Sequence, residues 1–317
     1  MDMSTKSPTL DNMTSTGSKF WLHPLQMESY RRGGGHTVIT THISPEGACN
    51  LDCDYCSVSK RDVHQRLDLG TIKNYLRILG NHGLKAVILT GGGEPTGYKH
   101  FNELVEHIYS EGFKVALITN GTLAKRVDVW DYFSWVRVSI NNFPSWQEKI
   151  WIPDITGRVG LSYCYYTEEN IWADIQKKAD QLDAEYIRVL PDCTLPQDQL
   201  IEWHEKLDKV LPNDERFIHQ PKLHETPKTS TCHQSFFRPY LHESGVVYPC
   251  DSVVLNDSPG AFKIKYALCE SQDIGLYLQR KIPQQFDAMK DCSGCVFTKT
   301  INMLEDYVNG IQDPDFV

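Results

Sequence analysis

The sequence predicts an α/β chain built on a parallel sheet, and three observations carry that prediction. Short β-branched apolar runs alternate with stretches of helical periodicity between residues 37 and 212. The alternation repeats as about six β/α units, which implies parallel strands joined by right-handed crossovers. A thiol-rich loop follows the first strand at once, at the strand end where such sheets carry their chemistry.

Residues 1–19 are rich in Ser, Thr, Asp and Lys without periodicity and read as a disordered tail. Residues 20–36 carry Trp21, Leu22, Leu25 and Tyr30, enough apolar surface for an extension lying over the main domain. The Gly33-Gly34-Gly35 triplet turns the chain and is weak evidence for a phosphate loop, because no Lys-Ser/Thr pair follows it. The β-branched run 37–43 suits a strand. Asp68 is placed to cap a helix whose Ile72, Tyr75, Leu76 and Leu79 fall at i, i+3, i+4 and i+7. Ala86 to Leu89 is a continuous apolar run, as a buried parallel strand requires. Phe101, Leu104, Val105 and Ile108 repeat the helical spacing up to Gly112. Strands follow at 115–118, 136–140 and 159–166, a helix at 168–182, a strand at 186–190, and a last helix with Leu200, Trp203, Leu207 and Leu211.

The 317 residues suffice for a full core, and 40% hydrophobic with 23% charged residues is ordinary for a globular chain. A formal charge of -9 gives no footprint for a phosphate backbone, so nucleic acid is not expected as a partner. The first residues lack an apolar signal core and no stretch is long enough to span a bilayer, so a cytoplasmic location without membrane contact is expected. In that compartment, the ten cysteines read as metal ligands before disulfides.

Cys49, Cys53 and Cys56 are spaced C-x3-C-x2-C in the loop after the first strand. Three thiolates can hold an iron-sulfur cluster and leave one iron open, whereas a zinc knuckle would want a fourth ligand, for which His64 is the only close candidate. Thr90-Gly91-Gly92-Gly93-Glu94-Pro95 follows the second strand. Its glycines let backbone approach a ligand, and its carboxylate can accept hydrogen bonds from an ammonium group. A Gly-rich turn at a strand end is also a common plain turn.

CNLDCDYC after a strand, with an aromatic before the third Cys, and GGGEP after the next strand together resemble the radical SAM superfamily. The resemblance implies a partial (β/α)6 TIM barrel over 37–226, with a 4Fe-4S cluster on Cys49, Cys53 and Cys56. S-adenosylmethionine (SAM) would chelate the open iron. It implies that Gly91, Gly92, Gly93 and Glu94 grip the SAM amino group, that Tyr55 lies against the adenine, and that Ser139 and Asn141 take positions that hold ribose hydroxyls; Thr119-Asn120-Gly121 resembles the family's turn after strand three, which makes Asn120 a further SAM contact. Each of these polar residues also suits a turn or cap. The fifth strand departs from the family's Gly-x-Ile-x-Gly form. Arg188 on the sixth strand would be costly inside a barrel without an anion, which makes it a candidate contact for a substrate or SAM carboxylate. The stretch from Trp146 to Trp151 reads as loop packing.

Cys232 and Cys250 flank Gly245 as C-x12-G-x4-C, and Cys292 and Cys295 form C-x2-C. The set resembles the twitch domain, the short form of the SPASM extension. It implies a small C-terminal α+β domain over 227–317 that binds one auxiliary 4Fe-4S cluster. Four cysteines would serve structural zinc as well. Cys269 lies between the pairs, a replacement ligand, a free thiol or a hydrogen-atom donor. Cys164 and Cys193 sit near the ends of strands five and six, where a thiol at the mouth of a radical site could donate a hydrogen atom.

The resemblance implies an oxidoreductase that cleaves SAM to a 5'-deoxyadenosyl radical, takes a hydrogen atom from a small molecule or peptide, and passes an electron to the auxiliary cluster. A reductant such as flavodoxin or ferredoxin is implied as partner. The alternatives are an epimerase or peptide maturase with a Cys hydrogen-atom donor, and more remotely a nucleic-acid modifier or a zinc-binding structural protein.

Overall fold

The computed structural model describes residues 17–141, 150–221, 223, 225–255, 265–292 and 294–310. The tail expected over 1–19 lies outside these residues as far as 16, and the loop expected to pack around Trp146 lies outside them through 149.

The described strands form one sheet of ten in the order β10-β9-β8-β1-β2-β3-β4-β5-β6-β7. They are β1 (Thr40–Ile43), β2 (Ala86–Leu89), β3 (Lys114–Thr119), β4 (Phe133–Ser139), β5 (Arg158–Tyr165), β6 (Tyr186–Pro191), β7 (Phe217–His219), β8 (Tyr240–Leu241), β9 (Val246–Tyr248) and β10 (Cys269–Glu270). From β8 through β1 to β7 every pairing is parallel; β9 and β10 add on antiparallel. This is an α/β partial barrel whose strands keep a barrel's cyclic order and whose edges are β7 and β10.

Helix α1 (Pro24–Arg31) precedes the sheet; α2 (Leu69–Asn81), α3 (Phe101–Ser110), α4 (Trp172–Gln181) and α5 (Gln197–Val210) are crossovers. Asp68 caps α2 by accepting from the Thr71 amide at 3.0 Å, and α2 buries Ile72, Tyr75, Leu76 and Leu79, the stripe its spacing predicts. Phe101, Leu104, Val105 and Ile108 are likewise the buried face of α3, and Gly112 beyond it takes φ +81°. Between β3 and β4 the crossover is made by 3-10 turns at Ala124–Arg126 and Trp130–Tyr132 rather than by a helix.

The strands alternate with period two. Outward residues such as Val87, Leu117, Val136, Val138, Leu161 and Ile187 are buried against the helices. The inward set includes His42, Arg137, Ser162 and Arg188, which border open space inside the sheet. A closed eight-stranded barrel fills that space with bulky branched side chains; here it is hollow and carries charged and polar side chains among apolar ones.

Two parallel strands beyond the six expected extend the sheet, β7 at one edge and β8 on the far side of β1. They hold three and two residues, too short to show a period. The sheet therefore crosses the boundary expected after 226, and the C-terminal segment is built onto β1. Thr41 Oγ1 donates to the Pro239 carbonyl at 2.9 Å and the Ser44 amide to that of Leu241 at 2.9 Å. Helices α6 (Ile274–Leu278), α7 (Ala288–Asp291) and α8 (Thr298–Asn309) complete this part.

The N-terminal segment packs on the same seam. Phe20, in the 3-10 turn Gly17–Leu22, meets Phe237 edge-on at 5.1 Å, and Tyr30 of α1 lies 4.8 Å from the same ring. Among the described residues no helix is long and apolar enough to cross a membrane.

Candidate functional site

The loops after β1, β2 and β3 interlock at the C-terminal ends of their strands. The Gly93 amide donates to the Glu46 carbonyl at 2.8 Å, and the Glu94 amide to that of Ala48 at 2.9 Å. A Cβ on Gly93 would overlap the Ala48 carbonyl oxygen, and one on Gly92 would overlap Glu243 Oε1. The glycines thus permit the glycine loop to lie flat on the chain entering Cys49.

Cys49, Cys53 and Cys56 border a cavity of about 360 Å³. Amide and guanidinium hydrogens point at two of the sulfurs. The Leu51 amide reaches Cys49 Sγ at 3.4 Å, Asn120 Nδ2 reaches it at 3.8 Å, and Arg61 Nη1 reaches Cys56 Sγ at 3.4 Å. Burial raises the Cys49 thiol above its ordinary value, and the Leu51 amide opposes it. Among the described residues no three His, Cys, Asp or Glu side chains converge on a single metal ion. The three thiols instead surround a space, and donors aimed at sulfur are what cluster thiolates use. The donor set therefore fits an iron-sulfur cluster.

Gly91, Gly92, Gly93 and Glu94 line the same cavity. Glu94 is buried, and its Oε1 accepts from the Thr96 amide at 3.2 Å, Thr96 Oγ1 at 2.6 Å and Thr119 Oγ1. Oε2 accepts from the Asn120 amide at 2.8 Å. Burial raises this carboxyl's pKa, against the opposing pull of the four donors. Each carboxylate oxygen has about two acceptor directions, and Oε2 uses one of them for the Asn120 amide, so it keeps one for a ligand. Asn120 ties β3 to the cysteine loop, donating to Asn50 Oδ1 at 3.0 Å.

Tyr55, Ser139, Asn141 and Arg188 also border this cavity. Tyr55 packs on Tyr166 at 4.9 Å, and burial, then Cys53, pushes its phenol far above the ordinary range. Asn141 donates to the Cys164 carbonyl at 2.6 Å and accepts from the Cys164 amide at 2.8 Å. Its amide prolongs the ladder between β4 and β5, which is a structural duty beside any contact with a ribose. Cys164 and Cys193 border the cavity as well.

Cys269 does not. On β10, opposite Val247, it lies near Tyr75 and Tyr277, and burial followed by Asp273 and Glu270 pushes its thiol up to about 12. Cys269 thus stands on the outermost strand, beyond β9, and is not among the residues that border this cavity.

Cys232, Cys250, Cys292 and Cys295 are brought together from the ends of short elements. Burial, then Cys295 and Cys292, raises the Cys232 thiol; burial, then Asp251, Cys232 and Cys295, raises Cys250. Cys292 is pushed up to about 12 by burial and then by Cys295. The Cys295 amide turns back onto the Cys292 carbonyl at 3.1 Å, and Glu225 pairs with Cys295 as an isolated bridge. Ser293, inside the C-x2-C pair, lies outside the described residues. This cysteine-rich region fits an auxiliary cluster. Asp251 and Ser252, which follow Cys250, reach the cavity of the first thiol loop.

Sequence reasoning missed Arg137, Arg238, His42 and Asp251, all of which border the inner space. The signal was present in the alternation Val136-Arg137-Val138-Ser139, which puts every second residue on the inner face.

Residues 43–145 match the family model described as Radical SAM superfamily. An S-adenosylmethionine-dependent nucleotide dehydratase from Selenomonas ruminantium is 38% identical over 85 residues, 27% of this chain and 30% of that protein. A neomycin C epimerase from Streptomyces fradiae is 33% identical over 87 residues, 27% of this chain and 28% of that protein. The chain thus spans less than a third of the length of these curated relatives. The Streptococcus suis protein SuiB, solved with its precursor peptide SuiA, superposes with a TM-score of 0.51 at 12% identity, over 98% of this chain and 73% of that one. That likeness concerns the fold.

Proposed function

We propose that this chain, a member of the radical SAM superfamily and a user of SAM and a 4Fe-4S cluster, carries out a net two-electron oxidation of a small polar molecule or peptide. When bound, the first cluster supplies the electron that splits SAM into methionine and a 5'-deoxyadenosyl radical, and an auxiliary cluster supplies an acceptor for the electron left on the substrate. The protein's own part is placement and exclusion of water. Cys49, Cys53 and Cys56 would hold the first cluster, and Cys232, Cys250, Cys292 and Cys295 the second. Glu94 offers Oε2 to the SAM amino group, and Tyr55 covers the adenine side. The substrate gives up one hydrogen atom, one electron and one proton, and a donor such as flavodoxin or ferredoxin provides the initiating electron.

The observation that carries this reading is the meeting of the two thiol sets: the turn after Cys250 puts Asp251 and Ser252 into the wall of the cavity that Cys49, Cys53 and Cys56 line. Anaerobic turnover is expected to give one 5'-deoxyadenosine per product, with no deuterium from heavy water in the product. The curated relatives are named for a dehydration and an epimerisation, so the test separates reactions within one superfamily.

Epimerisation is the second reading, and Cys164 and Cys193 at the cavity wall favour it. Deuterium entering the product and disappearing in Cys164→Ser or Cys193→Ser would replace oxidation by hydrogen return.

A further inference from the structure

The inner space below the thiol loop is a second cavity of about 460 Å³, and the two cavities share Ile118, Arg137, Arg188 and Asp251 as common wall. Two guanidinium groups therefore stand at the junction. In a chain of net charge -9, this is a concentrated positive site that the sequence average conceals.

One neighbouring arginine is already compensated. Arg238 donates to His42 Nε2 at 3.1 Å and lies 3.7 Å from Asp251, which is also 3.3 Å from His42 Nδ1. Arg137 and Arg188 have no such carboxylate among the described residues. Arg137 is 9% exposed, stacks over Trp135 at 5.4 Å, and leaves Nε without a partner. Arg188 donates from Nη2 to Ser162 Oγ at 3.0 Å, and its Nε is likewise unpartnered. Asp251, the carboxylate of the shared wall, already faces Arg238 and His42, so Arg137 and Arg188 remain as two buried like charges, which is costly, and burial together with Arg137 pulls Arg188 down to about 9.

We propose that Arg137 and Arg188 form a receptor for a phosphate group of the substrate, seated beneath the SAM site. This deepens the radical SAM reading and rests on it. A phosphate dianion matches two positive charges and offers several oxygens to two planar forks, whereas one carboxylate leaves a charge over. Ser162, which accepts from Arg188, keeps its own hydroxyl proton to donate to the same anion.

The test uses anaerobically reconstituted holoenzyme and three probes at constant ionic strength: orthophosphate, pyrophosphate and acetate. Saturating phosphate or pyrophosphate is expected to raise Tm by about 3 °C over chloride, with acetate giving less than half of that. Arg188→Gln and Arg137→Gln should each remove most of the shift while SAM affinity stays within about twofold. Arg188→Lys, which keeps the charge but loses the fork, should lose most of it too and covers the case in which the Gln variant does not fold. No stabilisation beyond chloride, an equal shift with acetate, or an undiminished shift in all the variants overturns the proposal. A tenfold loss of SAM affinity in Arg188→Gln also overturns it, by giving the pair to the SAM carboxylate. Iron content and SAM cleavage, measured on the same preparations, test the superfamily reading separately and would survive failure of the phosphate site.

Discussion

The two thiol sets solve opposite problems. Cys49, Cys53 and Cys56 come from one short loop, are half-buried, and border a cavity with hydrogen-bond donors aimed at their sulfurs. Cys232, Cys250, Cys292 and Cys295 come from elements up to 63 residues apart, and Cys232 is buried among packed side chains. A three-thiol loop leaves one metal position for a ligand, while a four-thiol set encloses its metals and leaves only electron exchange. On the proposed function, the difference is that between a site that binds and a site that conducts.

The sharpest way to break this comparison is to remove a thiol from the loop. Cys53→Ala should abolish SAM cleavage, a loss of at least about a thousandfold, and lower iron from about eight to about four per chain. Retained cleavage would take the catalytic role away from this loop. Cys232→Ala should lower iron by a similar amount yet leave 5'-deoxyadenosine formation in place, while product falls by about a hundredfold. If product and 5'-deoxyadenosine fell together, the second set would be no acceptor.

The seam between the two regions gives a smaller effect. Glu243, on the turn between β8 and β9, lies against Gly92, with His42's neighbour strand behind it and His242 Nε2 at 3.3 Å. Burial lifts its carboxyl to about 7, with Ser44 and Arg61 opposing and Glu46 adding, against 4.5 for an ordinary glutamate. Between those values the unfolded chain has released this proton and the folded chain keeps it. The contribution is therefore whole below about 4.5 and is lost as pH rises through about 7, by about 3 kcal/mol. Urea unfolding across that window should show the decline, and Glu243→Gln should flatten it; an identical slope in the variant would assign the decline elsewhere. Smallest, Glu94→Gln should weaken SAM binding about tenfold, since the amide turns one acceptor into a donor facing groups that already donate. Unchanged affinity in equilibrium binding would leave Glu94 with the Thr96, Thr119 and Asn120 bonds alone.

Much of this was legible in the sequence because it is local. Asp68 and the stripe from Ile72 to Leu79 announce α2, and the cysteine spacing with the glycine loop announces the first site. What stayed hidden depends on distance or brevity. β8 has two residues and exists only because β1 offers it an edge. Cys269 and Cys232 lie almost equally far from Cys250 along the chain, yet Cys232 acts electrostatically on Cys250 while Cys269 stands on β10 opposite Val247. The arginines were hidden differently: Arg188 was noticed singly, but its pairing with Arg137 needs β4 and β6 to be placed around a common space.

The pairing of β8 with β1 also sets an order of events during synthesis. The first strand emerges early, but the backbone that satisfies its outer edge, from Phe237 to Leu241, arrives about two hundred residues later. Until then the edge leading into the cysteine loop is an open template for any other strand. A contact of such long range also closes slowly. The wall that joins the two thiol sets is thus completed only after Asp251 and Ser252 have been made. A chain stopped short of residue 237 would present its thiol loop on an unprotected edge.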